Sequence, residues 1–108
     1  MALTRDFKET VNQRVNNDPE FARALLDEAT SLFLNGEPEV ARLVLRDLVN
    51  STIGFEELAA QTSKPSKSLH RMLSAKGNPT MDNLTSIYKI LCNTLNVNIE
   101  VNVTPCHS

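Results

Sequence analysis

Residues 57–80 read ELAAQTSKPSKSLHRMLSAKGNPT. Between Leu58 and Met81 stand Lys64, Lys67, Arg71 and Lys76, with His70 among them and no Asp or Glu. The chain as a whole is acidic, with 11 Lys and Arg against 13 Asp and Glu and a formal net charge of -2. The stretch therefore carries +4, and the rest of the chain, with seven basic residues against all thirteen acids, carries -6. A local basic face on an acidic body is the electrostatic footprint of a surface that meets a polyanion. Apolar spacing divides the same stretch in two. A two-turn helix over residues 55–62 turns Leu58 and Ala59 inward, Ser63-Lys64-Pro65 interrupts it, and a second short helix over about residues 66–75 buries Leu69, Met72 and Leu73.

Working outward, 108 residues at 41% hydrophobic content can bury one modest core, which predicts a single domain. Trp is absent and aromatics make up 5%, so Leu, Val, Ile and Ala must fill that core. Phe7, Val11 and Val15 share one face of a helix over residues 3–15. Asp18 is placed to cap a second helix that has Pro19 at its first position, where a missing N–H costs nothing. That helix carries Phe21, Leu25, Ala29 and Phe33 in one row and ends at Gly36, a good left-handed terminator. A third helix opens at Pro38 and is expected to bury Val40, Leu43, Val44 and Leu48, leaving Arg42 and Arg46 on a different face. Thr80 or Asp82 caps a last helix with Leu84, Ile87, Leu91 and Leu95 inward.

The period changes after that helix: Val97, Ile99, Val101 and Val103 alternate with Asn98, Glu100 and Asn102, which is a strand pattern. One strand cannot satisfy its own backbone, so it is expected to pair with the same segment of a second copy about a two-fold axis, the alternative being addition to the sheet edge of a different protein. The expected fold is all-α, with five to six short helices and one C-terminal β-strand pairing across a homodimer. Its segments are an N-terminal helical extension (1–36), a DNA-binding core (37–95) and a strand and tail (96–108).

Two short helices joined by a turn of about three residues, the second presenting cations and hydroxyls, have the layout of a helix-turn-helix unit. In that layout the first helix braces the second, which lies in the major groove of double-stranded DNA. Lys67 and Arg71 are four apart and share a face of the second helix. With its N-terminal amides and the Ser66 and Ser68 hydroxyls facing outward, the first turn of that helix can bind phosphate or reach base edges.

From Glu57 to Tyr88 the chain resembles the phage-repressor (Cro-like) helix-turn-helix family. Leu58-Ala59, the turn Ser63 to Pro65, SKSLHRML, Asn78-Pro79, and Leu84 with Ile87 carry the resemblance. Within that fold, DPEFARALLDEA and LHRMLSAKGNPTMDNLT are similar to segments of the antidote (antitoxin) proteins of addiction modules, and the similarity spans about Asp18 to Leu91. The resemblance implies a DNA-binding antitoxin that neutralises a small, basic, ribonuclease-like toxin and represses their shared operon, reading bases with Ser66, Lys67 and Arg71. Carried over residue by residue, it makes Arg71 a bidentate guanine contact, Lys67 a contact to guanine or phosphate, and Ser66 or Ser68 backbone contacts. It makes Lys64, His70, Lys76 and Asn78 phosphate contacts at the rim and Gln61, at the end of the bracing helix, a phosphate clamp. Ser63 occupies the turn position where this fold favours Gly. An unchanged turn then requires a positive φ there, at about 1 kcal/mol.

Other chemistries find no support in the sequence. No Gly-rich phosphate loop follows a strand, no His pair has ligand spacing, and no Ser or Cys has activating neighbours, so neither an enzyme nor a cofactor is expected. Cys106-His107 offers two ligands, too few to close a metal site. Cys92 and Cys106 read as free thiols of a cytoplasmic protein, and no apolar run approaches the roughly 20 residues needed to span a membrane. The alternative function is a protein-binding antidote or adaptor that blocks a partner with little DNA binding, using the acids Glu20, Asp27 and Glu28.

Overall fold

The computed structural model describes residues 19–106, whose regular structure is all helical. In chain order the helices are α1 (Pro19–Leu34), α2 (Pro38–Ser51), α3 (Phe55–Thr62), α4 (Ser66–Met72) and α5 (Met81–Leu95). The helix expected over residues 3–15, the Asp18 cap and His107 lie outside the described residues.

Pro19 and Pro38 each stand at the start of a helix, as their missing N–H favours. Ala22, Leu26 and Ala29 form the buried row of α1, with Phe21, Leu25 and Phe33 packed beside them. The helix ends where Gly36 turns to φ 88° and the Glu37 N–H reaches back to the Leu32 carbonyl at 2.8 Å. This return brings α2 against α1 in the most extensive helix pairing of the molecule.

In α2 the expected inner face is corrected. Ala41, Leu45, Leu48 and Val49 are fully buried, whereas Val40 and Leu43 are 49% and 41% exposed and Arg42 points inward. The helix is apolar over so much of its circumference that periodicity alone admits more than one inner stripe. The choice falls to the partners: α1 covers the Leu45 side, and Arg42 finds backbone carbonyls at the far end of α4.

Leu58 of α3 joins Leu69 and Leu73, on and just after α4, and Ile87 and Leu91 of α5 in the same core. Ile90 is also buried there, a position the leucine-spaced reading passes over. Thr80 is the cap of α5, its Oγ1 accepting the Asn83 N–H at 3.1 Å. The helix closes at Asn96, which takes a left-handed conformation at φ 57°.

Against α1, Tyr88 sets its ring edge-on to Phe33 at 6.3 Å, and its hydroxyl lies 3.3 Å from Thr30 Oγ1. Burial pushes the Tyr88 phenol and the Cys92 thiol above their ordinary pKa values, because the charged form of each would lose water.

The C-terminal strand expected from the alternation is absent from the single chain: residues 97–106 have no regular secondary structure. A strand exists only with a ladder partner, and a helical body offers no sheet edge. The segment lies along α1 instead. Val97 and Asn98 share a cleft with Arg23, Leu26 and Asp27, and Val101 to Thr104 share another with Ser31, Leu34 and Asn35. Among the described residues no helix is long and apolar enough to cross a membrane.

The two free thiols should react at different rates. Cys106 is exposed, whereas Cys92 is half-buried with its thiol pushed up, so less of it is thiolate at neutral pH. Titration with a chromogenic disulfide reagent should show a fast phase that Cys106→Ser removes and a slower one that Cys92→Ala removes.

Candidate nucleic-acid interface

The break between α3 and α4 turns on Ser63, which sits at φ 58° and ψ 33° as the unchanged turn requires. A non-glycine residue there costs about 1–2 kcal/mol. The bend permits a bond that offsets the strain: beyond the ordinary helical bond of the Ser63 N–H, the Lys64 N–H also reaches the Ala59 carbonyl at 3.3 Å. Pro65 then runs extended, and its carbonyl accepts the N–H groups of Ser68 at 3.0 Å and Leu69 at 3.2 Å, starting α4. The helix stops at Met72, three residues short of its expected end.

Because Leu69 and Leu73 are fully buried beneath α4, the opposite face is fixed outward. Lys67, His70 and Arg71 are exposed there, while Ser66 and Ser68 are half-buried at its margin. Lys64 is half-buried in the turn before the helix, and Lys76 and Asn78 are exposed in the loop after it. A cleft of about 260 Å³ lined by Ser68, Arg71, Met72 and Asn78 brings the loop's amide to the helix's arginine. Gln61 and Lys76 stand apart from that cleft. Gln61 is exposed at the end of α3, donating to the Glu57 carboxylate at 3.5 Å.

Among the described residues, none of Lys64, Lys67, Arg71 or Lys76 has a carboxylate within 4 Å. The four cations are held by covalent position and packing, without internal counterions. His70 has a second occupation. Its ring stacks on Phe55 at 3.9 Å between centroids and 20° between planes, so it helps to leave that aromatic side chain only 5% exposed and ties α4 to the start of α3.

Arg42 is the positioning residue that sequence reasoning missed. Only 8% exposed, its guanidinium donates from Nε to the Ser74 carbonyl at 2.9 Å and from Nη2 to the Ala75 carbonyl at 2.7 Å. These carbonyls belong to the turn that follows α4, and that of Ser74 also accepts the Gly77 N–H at 3.0 Å, so the guanidinium braces a turn that already closes on itself. An arginine beside the apolar stripe of α2 is a weak signal of such a role. Its acceptors are backbone groups more than thirty residues away, which side-chain patterning does not encode. Gly77 completes the turn: a Cβ there would lie 2.4 Å from the Met72 carbonyl oxygen and 2.5 Å from that of Arg71. Only a residue without a side chain lets the chain pass so close beneath α4.

What this arrangement can do chemically is bind an anion by charge and hydrogen bonding. Among the described residues no group of three His, Cys, Asp or Glu is placed to hold a metal ion. Comparison with protein-family models, with curated proteins and with solved structures finds no match for the chain.

Three substitutions test how α4 is held. Arg42→Met should cost about 2–3 kcal/mol, because two carbonyls lose a charged donor, and Arg42→Lys should recover only part of it, since an ammonium cannot span both as a fork does. Gly77→Ala should cost about 1–3 kcal/mol through overpacking against backbone. Urea denaturation followed by far-ultraviolet circular dichroism measures all three.

Proposed function

We propose that this protein is a sequence-specific DNA-binding transcriptional regulator, with α3 and α4 acting as a Cro-like helix-turn-helix and α4 entering the major groove. The observation that carries the reading is the set of four cations on and around α4, without described carboxylate partners, on a chain of net charge -2. Acids concentrated elsewhere repel a polyanion, so contact is favoured at this face alone.

Seven helical residues span roughly 10 Å, about the length of three base pairs. Arg71, exposed in the last turn of α4, is the guanine reader. Lys67, one turn earlier, takes guanine or phosphate, with Ser66 and Ser68 at the near strand. Lys64, Lys76 and Asn78 flank the helix at both ends and contact phosphates, fixing its register in the groove. Gln61 and His70 complete the rim. The function is autorepression from a two-fold site, and its antitoxin character adds a small basic protein partner. The exposed Asp27 and Glu28 of α1, remote in sequence from α4, offer that partner a complementary charge.

Fluorescence anisotropy on DNA from upstream of its own gene, and on random duplex, tests the reading across salt concentrations. Arg71→Ala should weaken specific binding by about 1–3 kcal/mol and relax preference at one base pair per half-site. Lys76→Ala should weaken all duplexes alike and reduce the salt slope by about one. Equal loss on specific and random DNA in both variants would remove the assigned roles, and no binding by the unaltered protein at low salt would remove the function.

A further inference from the structure

Among the described residues, five of the seven large apolar side chains that stand exposed are gathered around the C-terminal segment. Leu34, Met81 and Ile99 border one cleft, and Leu34 and Ile99 border another together with Val101 and Val103. Exposure rises along the segment, from half-buried Val97 through Ile99 at 39% and Val101 at 62% to Val103 at 94%. The chain's own body therefore covers the start of the alternating row and leaves its end bare. No backbone group of residues 98–106 is hydrogen-bonded to another described backbone group. A continuous apolar patch beside a free backbone edge needs a partner that supplies both a strand and apolar side chains.

The segment is complementary to itself. Around Val101 the pattern runs apolar, polar, apolar, polar, apolar in either direction: Ile99, Glu100, Val101, Asn102, Val103. For both copies to turn their apolar rows toward the helical bodies, the two-fold axis must be perpendicular to the ribbon and pass beside a single residue, which then faces its own copy. An axis at Glu100 would set two carboxylates opposite each other, which is destabilising. An axis at Val101 sets Glu100 opposite Asn102, Ile99 opposite Val103 and Asn98 opposite Thr104. It places Pro105, which has no N–H to give, at the outermost pair opposite Val97, where a ribbon tolerates it. This register also shields the two most exposed valines.

We infer that the protein is a homodimer closed by an antiparallel two-stranded ribbon of residues 97–105 from each copy, with its two-fold axis at Val101. Glu100 is the only ionisable side chain in that span, so the ribbon has no charge code by which to select a foreign strand. The inference does not depend on DNA binding and is tested without it.

The full-length protein should sediment as a dimer at micromolar concentration, and Val101→Lys should raise its dissociation constant at least tenfold with the helical circular dichroism intact. Register is read by cross-linking in a Cys92→Ala, Cys106→Ser background. Val101→Cys should form a covalent dimer on mild oxidation, since directly opposed residues fall within disulfide reach. Ile99→Cys and Val103→Cys should each fail alone, their copies lying about 13 Å apart along the ribbon, but cross-link when mixed. A monomeric native protein, or a dimer that Val101→Lys leaves unchanged, overturns the inference. So does self-cross-linking at 99 or 103 in place of 101.

Discussion

Two hydrogen bonds from a buried guanidinium tie the exit of α4 to α2, at the margin of the apolar core that joins the two halves of the molecule. Arg42 sits on α2, a helix locked against α1, and its acceptors at Ser74 and Ala75 follow directly on α4. The contact joins residues 32 and 33 positions apart, and few other polar contacts reach so far along the chain. A cation is a suitable donor because carbonyl oxygens carry partial negative charge, and a fork is the suitable shape because there are two of them. Burying that charge is costly when a partner is lost, so the position of α4 is set by a contact that admits little slack.

A short exposed helix is marginal by itself, since seven residues cannot repay helix nucleation in water. α4 exists because its surroundings hold it from every side but one. Leu69 and Leu73 anchor it from below, His70 stacks on Phe55, the left-handed turn at Ser63 sets its entry, and Gly77 lets the exit pass beneath it. The free side carries Lys67 and Arg71. Rigidity of this kind would suit the proposed base reading, in which each bidentate contact needs its donors in place before the DNA arrives. The unpartnered cations have a related logic: an internal carboxylate would steady them but compete with phosphate.

The C-terminal segment, which lies along α1, shows the same dependence on a partner. Its alternation is unmistakable in the sequence, yet a helical body gives a strand nothing to pair with. The result is a row of valines that α1 covers at one end and leaves bare at the other. A ribbon shared by two copies would bury that row and couple two reading helices rigidly, as a two-fold operator demands.

Local order was legible because it is written in local chemistry. Proline at helix starts, Gly36 at a helix end, the break at Ser63 to Pro65 and the spacing of Leu58, Leu69, Leu73, Ile87 and Leu91 all act within a few residues, and the structure repeats each of them. The basic face was legible for the same reason: inward leucines on a short helix leave its lysine and arginine only one direction. Tertiary structure alone decided which side of the largely apolar α2 faces in, that His70 stacks on Phe55, and that Arg42 is buried. It also decided that residues 97–106 lack a strand in a single copy. Each of these depends on a partner far away in sequence or in another molecule, and a periodicity can state that a face is apolar without stating what will cover it.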